Sequence, residues 1–424
     1  MDSKYFMIHL LWAVMIQLQH LRMRSDKMKI AKAFVLACVL APLATPHEAA
    51  AQALYESYFN YTSTRPDEAE TNYAGNVQGL AHDKNNWFIS QEWGLWKIPV
   101  NLDLAGPIAC GVSGVACGNL NSINAYNHVG DIDYYQYNES TGFLLLALED
   151  KDRAVPPAVA AFNPDNLQYI AHATLKLPQH LSQPGNAPWV AVDVNGLVYA
   201  PHEDAPGWVY IYDLDWHALA QNGTMSLQYA GELRLLDESG SPLLIGGQGA
   251  TFSESGKLLY MNNGYFGDYD THQDGISVFD MQTKRRIIKS TRDGAQPFWY
   301  GYDPDCSPPF GSSQCEEPEG LTIWDLDDGR APNISGQLHV LLLDNDISDD
   351  VYIRHYTNKI YVNYAYSGTE RGKPNQPFDT VVEAYAMAWD GAQISIKAGT
   401  YAESLILSKR IRLVAKGGTV RIGN

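Results

Sequence analysis

Positive charge is scarce in this sequence. Its 424 residues include 30 lysines and arginines against 48 aspartates and glutamates, which gives a net charge of −18. An acidic field repels nucleic acid and anionic membrane, and it favours cations or neutral ligands as partners. Nucleic-acid binding is therefore excluded, although an acidic surface also serves solubility and does not identify a function by itself.

Common catalytic motifs are missing as well. The sequence has no G-x-S-x-G elbow, no H-E-x-x-H helix, no Walker A loop and no dinucleotide fingerprint. Strong helix formers are few, whereas 26 tyrosines, 35 glycines and 22 prolines favour short strands joined by turns. These features predict an all-β protein whose function is not announced by a motif.

Extended hydrophobic runs are confined to the N-terminus. The apolar stretch 6–16 is too short to span a bilayer. From Met28 the sequence resembles a secretory signal, with lysines before the apolar run 33–41 and the cleavage pattern Ala-Gln-Ala at 51–53. We interpret residues 1–53 as an over-extended start plus a signal peptide, with translation beginning at Met28. The mature chain would then be secreted or periplasmic, without a stable membrane span, and would have a net charge of −21.

Cysteine is rare, and its placement supports export. Of the five cysteines, Cys38 lies in the signal and the others form two close pairs in loops rich in Gly, Ser and Pro. Two local disulfides, Cys110 with Cys117 and Cys306 with Cys315, are the economical choice among three possible connectivities. Metal binding fits these cysteines less well, because neither pair has C-x-x-C spacing and neither loop contains histidine.

Five segments between residues 54 and 359 share one pattern. Each has a small residue, an alternating strand, a turn, a strongly apolar second strand and then a polar cluster, and a third strand comes after it. The segments are 78–91, 130–150, 189–204, 248–263 and 319–346. Units of four antiparallel strands in radial repetition are typical of a β-propeller. We therefore predict that 54–359 forms a propeller.

The blade count and the ring closure can be derived from this repeat. Five blades is the direct count, and six is the alternative if 205–247 or 293–318 contains a degenerate blade. The fifth unit lacks an outer strand, whereas an N-terminal strand at 55–62 has no partner of its own. We expect that N-terminal strand to complete the last blade and close the ring.

The segment 360–424 has a different character. Its net charge is +3, and Pro377-Phe378 leads into an amphipathic helix at 380–388, with short strands after it at 394–396, 404–407, 411–414 and 420–422. The pattern Pro-Phe-x-Thr-Val, then Ile-x-Ile, then Ala-Gly-Thr-Tyr-x-Glu resembles the N-terminal cap of pectin-lyase-like right-handed parallel β-helix proteins. The resemblance implies a partial, truncated β-helix with one helix. It implies no activity, because the catalytic rungs of that family are absent here.

The propeller pattern also predicts where a functional site would lie. The start of the first strand and the end of the second strand share one face of a blade, so their polar residues would surround the channel mouth. The catalytic candidates there are His128, Asp131, His202 and Glu203. The candidate metal ligands are Asp131, Glu149, Asp150, Asp204, Glu319, Asp344 and Asp346.

Converging carboxylates suit Ca²⁺ or another divalent cation, which would also relieve their mutual repulsion. For any single aspartate among them, ending a strand is the alternative role. His82 and Asp83 fall on the opposite face of their blade, where we expect them to serve a turn.

These features support two functional hypotheses. The first is an exported propeller that binds a small molecule, a glycan or a cation at its acidic mouth. The alternative is a metal-dependent hydrolase of phosphoesters, lactones or glycans at the same face. Propellers host both binding proteins and enzymes, so the fold does not choose between these hypotheses.

Overall fold

The structure, a computed structural model, describes residues 59–67, 72–123, 125–176, 185–263, 275–289, 316–345, 349–388 and 392–423. Across these residues it shows five four-stranded antiparallel sheets and one three-stranded parallel sheet. The five sheets are the blades of a β-propeller. The predicted all-β fold and the count of five blades are confirmed.

In blades 1 to 4 the strands follow one another in chain order from the axis outward. Blade 1 contains β2 (Val77–His82), β3 (Asn86–Gln91), β4 (Gly94–Pro99) and β5 (Ala116–Asn119). Blade 2 contains β6 (His128–Asn138), β7 (Thr141–Glu149), β8 (Ala158–Phe162) and β9 (Tyr169–Thr174). Blade 3 contains β10 (Ala191–Val192), β11 (Leu197–Pro201), β12 (Trp208–Leu214) and β13 (Leu227–Arg234). Blade 4 contains β14 (Gly249–Phe252), β15 (Leu258–Asn263), β16 (Gly275–Asp280) and β17 (Arg285–Lys289).

Blade 5 is built from both ends of the propeller segment. Its strands β18 (Glu316–Ile323), β19 (Leu338–Asn345) and β20 (Asp349–Thr357) are joined by the N-terminal β1 (Asn60–Thr64). Strand β1 pairs with β20 in antiparallel register, with Tyr61 opposite Tyr356 and Thr64 opposite Arg354. The predicted ring closure is confirmed, with the strand placed a few residues later than expected.

A short helix, α1 (Trp216–Asn222), interrupts blade 3 between β12 and β13 and was not predicted. Asp215 caps its start by accepting the N–H of Ala218, and Gly223 ends it in the left-handed region at φ 63°. Asp before a helix and Gly after it are common capping residues, so the sequence did contain a signal for this helix. The stretch 205–247 therefore contains two blade-3 strands and α1 rather than a sixth blade.

Strand β7 illustrates why the second strands are apolar. Leu144, Leu146 and Leu148 pack in a buried cluster with side chains of blade 1. Their alternating neighbours, among them Phe143 and Leu145, pack with side chains of blade 3. Because successive strand residues point to opposite faces, a strand buried between two blades must be apolar on both.

The side chain of Asp131 lies at the propeller axis, at the level where the innermost strands of the blades meet. Blades 1, 4 and 5 have Gly79, Gly249 and Gly320 there, and a Cβ at any of them would collide with atoms of Asp131 or of a neighbouring glycine-bearing strand. A Cβ on Gly320, for example, would overlap the backbone nitrogen of Leu80. Asp131 itself comes from blade 2 and is 0% exposed.

The Asp131 carboxylate binds backbone rather than side chains. Its Oδ1 accepts the N–H of Leu80 at 3.2 Å and of Ile132 at 2.8 Å, and its Oδ2 accepts the N–H of Ala250 at 3.1 Å. Its own N–H donates to the carbonyl of Pro188 at 2.8 Å. One residue thus connects blades 1, 2 and 4 with the segment leading into blade 3.

The C-terminal segment contains α2 (Val381–Met387) and a parallel sheet of β21 (Lys359–Val362), β22 (Gln393–Tyr401) and β23 (Arg412–Ile422). The predicted helix is confirmed. The predicted strand at 404–407 is wrong, because these residues have no strand partner and Ile406 is 88% exposed. The structure shows a small parallel sheet here, and no complete β-helix among the described residues.

Lys359 joins this segment to blade 5. Its buried ammonium lies 2.6 Å from Asp325 and 3.1 Å from Asp327, both in the loop after β18, and Tyr361 donates to Asp327. Burial alone would raise the pKa of Asp325, but the charge and hydrogen bond of Lys359 outweigh it and lower that pKa to about 2. The segment therefore packs on the propeller through a charged anchor.

The disulfide between Cys110 and Cys117 is present as predicted. It closes the loop between β4 and β5, at the periphery of blade 1. Cys306 and Cys315, the signal region and Asp346 lie outside the described residues. Among the described residues, no helix is long and apolar enough to cross a membrane.

The axial packing yields the first prediction. Gly320→Ala should lower the free energy of unfolding by about 1–3 kcal/mol, because the new methyl group must displace backbone at the axis. Gly246→Ala is the matched control, since a Cβ there meets nothing within 4 Å. Urea denaturation of both variants measures the difference, and equal stabilities would contradict the crowded axis.

Candidate functional site

The antiparallel register gathers the predicted polar residues at one end of the blades, here called the channel mouth. His128 at the start of β6 lies opposite Glu149 at the end of β7, and Gly249 of β14 lies opposite Asn262 of β15. The backbone of Asp344 is paired with that of Glu316 in the same way. The strand register thus places these residues at the same end of their blades, and their role as site residues stays a prediction.

Glu149 and His128 are joined by a hydrogen bond at the mouth. The imidazole Nδ1 lies 2.7 Å from Glu149 Oε2. Glu149 is 4% exposed, and its other oxygen, Oε1, is buried without any hydrogen-bond partner among the described residues. A carboxylate on Nδ1 fixes the ring and leaves Nε2 as the free nitrogen, which is the arrangement of a general base.

Glu319 lies near this pair on a β-bulge between Pro318 and Gly320. It is 5% exposed, and among the described residues its carboxyl group has no hydrogen-bond partner. Burial raises its pKa well above the ordinary value, and the nearby carboxylates of Glu317, Asp131 and Glu149 raise it further. A carboxyl group in this setting is protonated more readily than an exposed glutamate.

Asn262 completes the inner part of the mouth. Its side chain is fully buried, and Oδ1 accepts the N–H of Gly249, whose surroundings include the Asp131 carboxylate and the Glu319 carbonyl. The amide nitrogen Nδ2 is buried, and no described residue bonds to it. Asn262 thus offers a buried donor at the mouth, and Glu149 offers a buried acceptor. We call Glu149, Asn262 and Glu319 the mouth triad.

Of the candidate site residues in blade 3, His202 is buried, whereas Glu203 and Asp204 lie at the exposed rim. His202 is 1% exposed, its Nδ1 accepts the N–H of Asp204 at 3.2 Å, and its Nε2 has no partner in the described part of the chain. Burial lowers the pKa of His202, against the influence of Asp204. Glu203 and Asp204 are exposed and pair with Arg153 at 2.7 Å and 3.1 Å.

Asp150 has the turn role that was the alternative for a single aspartate. Its Oδ2 accepts the N–H of Ala154 at 2.6 Å and of Val155 at 3.1 Å, and Oδ1 accepts from Asp152. Asp83 does the same in its turn, accepting from Asn85 and Asn86. These bonds hold loops.

Two kinds of residue near the mouth were not predicted from the sequence. The cations Lys151 and Arg153 line the rim, where Lys151 lies 3.2 Å from Glu92. Asp133, two residues after Asp131, accepts the N–H of Val192 in blade 3 at 2.7 Å, and burial raises its pKa to about 7. The Asp-Ile-Asp pattern was a signal for two inward carboxylates on one strand.

The cation site predicted at the mouth stays a prediction. Across the described residues, the group of three carboxylates whose ligand atoms lie within 4.8 Å of one another is Glu370, Asp379 and Glu383 of the C-terminal segment. Of the candidate ligands, Asp131, Glu149, Asp150 and Asp204 each have the partners given above. Asp344 and Asp346 contribute no described side chain.

Comparison with known proteins gives a likeness of fold. A scan against protein-family models finds no match, and a search of curated proteins finds none either. Among solved structures, glutaminyl cyclase from Myxococcus xanthus aligns over 70% of this chain and 96% of its own, at 10% identity and a TM-score of 0.38. The GH43_1 enzyme from Xanthomonas citri, complexed with xylotriose, aligns over 72% and 92%, at 12% identity and a TM-score of 0.39. Similarity at this level concerns the fold and assigns no activity.

Glu319→Gln tests the buried carboxyl group. Because the pKa of Glu319 is raised in the folded state, its stabilising contribution is present below the unfolded value of about 4.3 and is lost as pH rises through the folded value. Glutamine stays neutral, so the variant should gain stability over the wild type as pH rises, by at most about 1.4 kcal/mol per pH unit.

Denaturation curves collected from about pH 4 to about pH 8 measure this gain. Exposed Glu254, in the turn between β14 and β15, gives the control Glu254→Gln, for which no such trend is expected. If the difference in unfolding free energy between the wild type and Glu319→Gln stays constant with pH, Glu319 ionises as an ordinary glutamate does.

Proposed function

We propose that this propeller binds a small hydroxyl-bearing molecule, of the size of a sugar unit, at its channel mouth. The observation that supports this most directly is the unmet hydrogen-bonding capacity of the mouth triad. Glu149 Oε1 is a buried acceptor and Asn262 Nδ2 a buried donor, and neither has a partner among the described residues. A hydroxyl group both donates and accepts, so a polyol can satisfy both atoms.

The energetics favour such a ligand. A buried polar atom left without a partner costs about 1–3 kcal/mol, which a ligand that supplies the missing bonds recovers on binding. Glu319, with its raised pKa, adds a carboxyl group able to donate as well as accept. The acidic surroundings disfavour anionic ligands.

A divalent cation such as Ca²⁺ is part of the proposal as a second ligand. The support is the proximity of Glu149 to Glu319, whose pKa is raised most by burial and further by the charges of Glu317, Asp131 and Glu149. A cation between Glu149 and Glu319 would oppose that rise in pKa and favour release of a proton. The oxygen atoms present suit Ca²⁺ better than softer metals.

We further propose that the protein works outside the cytoplasm. The signal-like segment ending at 51–53 motivates this, and the disulfide between Cys110 and Cys117 is typical of an oxidising compartment. For 360–424, the parallel register of β21, β22 and β23 supports a partial β-helix cap seated on blade 5.

Calorimetry with neutral mono- and oligosaccharides, and separately with Ca²⁺, tests the ligand proposal. We expect a saccharide to bind, and Glu149→Gln or Asn262→Asp to weaken binding at least about tenfold, because each exchanges the unpaired atom for one of opposite hydrogen-bonding sense. Glu139→Gln, in the exposed turn at the other end of blade 2, is the control.

The outcomes separate the two ligands. Saccharide binding without Ca²⁺ binding would remove the cation from the proposal. Ca²⁺ binding that grows weaker at higher pH would contradict the release of a proton from Glu319. No binding of either probe would overturn the mouth as a ligand site.

Hydrolysis is the second candidate function, and the pair of His128 and Glu149 favours it. Among the described residues Nε2 of His128 has no hydrogen-bond partner, so it can accept a proton from water. Glu319, with its raised pKa, can return a proton to the leaving group. Phosphoesters, lactones and glycans are the substrate classes to test.

A panel of chromogenic phosphoesters, lactones and glycosides, with and without added divalent metal, tests this activity. We expect His128→Gln to reduce kcat at least about 100-fold on any substrate turned over, since general-base catalysis contributes about that much. His217→Gln in α1 is the exposed control. Equal activity in His128→Gln and wild type would exclude His128 as the base.

A further inference from the structure

Two buried histidines face each other where the propeller ring closes. His339 of β19 and His355 of β20 are both 0% exposed, and their Nδ1 atoms are 2.7 Å apart. The Nε2 of His339 lies 2.8 Å from the carbonyl oxygen of Trp324. The Nε2 of His355 lies 2.8 Å from the carbonyl oxygen of Arg65, directly after the closing strand β1.

The hydrogens of this pair can be counted. A carbonyl oxygen only accepts, so both Nε2 atoms must donate and each carries a hydrogen. A neutral imidazole has one N–H, which leaves both Nδ1 atoms as bare acceptors. Two acceptors 2.7 Å apart are at hydrogen-bond distance with no hydrogen between them. The contact requires one more proton.

We infer that His339 and His355 hold one shared proton between their Nδ1 atoms, so that the closed ring contains a singly charged imidazole pair. Burial and, for His339, the neighbouring His355 lower the pKa of these rings, that of His355 to about 4. For the first proton the shared hydrogen bond outweighs this lowering, whereas a second proton would place two positive charges side by side.

The groups around the pair are mixed in charge. The carbonyl dipoles of Trp324 and Arg65 and the carboxylate of Asp325 stabilise a positive charge. His82, which stacks on the Trp324 ring, opposes it. Two guanidinium groups lie in this region, that of Arg65, which pairs with Asp103, and that of Arg330, which lies over the Trp324 ring.

The proton holds elements of the closure together. Two further hydrogen bonds join the closing strand to β20. Thr62 Oγ1 donates to the carbonyl of His355 at 2.8 Å, and the N–H of Arg65, directly after β1, donates to the carbonyl of Ile353 at 2.8 Å. When the shared proton leaves, two lone pairs face each other in a buried site and the rings must separate. Alkaline pH should therefore loosen the attachment of β1.

The pH dependence of stability tests this inference. A proton held more tightly in the folded protein than by free histidine, with its pKa of about 6.5, stabilises the fold below that pH and is lost as pH rises through the pair's own pKa. His355→Asn supplies an amide N–H to His339 Nδ1 without an extra proton. Its stability should lack this linkage.

The experiment uses the chain from which 1–53 have been removed. Between about pH 6.5 and about pH 9, the unfolding constant of the wild type should therefore rise relative to that of His355→Asn. The ratio of the two unfolding constants should rise by up to about tenfold per pH unit, the limit for one proton. Taking the ratio cancels the contributions of Glu319 and other groups common to both proteins. His217→Asn should behave as the wild type does.

A ratio that stays constant over this range would overturn the shared proton. If His355→Asn does not fold, ¹⁵N NMR of the histidine rings in the wild type decides instead. Two equivalent or averaged Nδ1 signals coupled to a strongly deshielded hydrogen support the inference. Two unprotonated Nδ1 signals at neutral pH would refute it.

Discussion

The fold depends on a single carboxylate at the point where five strands converge. Gly79, Gly249 and Gly320 allow the backbones to approach so closely that Asp131 is the side chain between them. Its oxygens accept N–H groups from three different blades, which are otherwise donors facing a narrow, dry axis. Removing that carboxylate would leave backbone donors buried and unpaired. The blades are thus tied at the centre by hydrogen bonds and at the periphery by apolar packing.

The same constraint shapes the mouth above it. Asp131 lies at the axis, and the bulge beside Gly320 places Glu319 next to it. Negative groups are then crowded into a space with few compensating donors. Burial raises the pKa of Glu319 and the neighbouring carboxylates raise it further, and Asn262 keeps a buried N–H without a partner among the described residues. The mouth is a polar site whose bonding needs are not met by the described residues themselves.

The blades and their closure could be predicted from the sequence, because polar and apolar residues alternate along the strands and the strand pattern repeats. Alternating and apolar strands, repeated with turns between them, identified the blades, and the unpartnered N-terminal strand predicted the closure. Antiparallel geometry alone was enough to place His128 and Glu149 on one face. Rim cations such as Arg153 escaped notice because long side chains reach their partners from loops. Nor could polarity show that Asp150 serves a turn whereas Glu149 keeps an unpaired oxygen, since that depends on which backbone N–H groups come within reach.

Ring closure and ligand binding make opposite demands on buried polar groups. At the seam, His339 and His355 use every nitrogen, and Thr62 and Arg65 add bonds from the closing strand and the residue after it. At the mouth, comparable groups are incompletely bonded. Buried polar atoms without partners destabilise a fold, so proteins keep few of them, mostly where a ligand or water completes the set. His339 and His355 thus use every ring nitrogen, whereas Glu149 and Asn262 each keep one buried atom without a partner among the described residues, and this difference is the observation behind the proposal that the mouth binds a ligand.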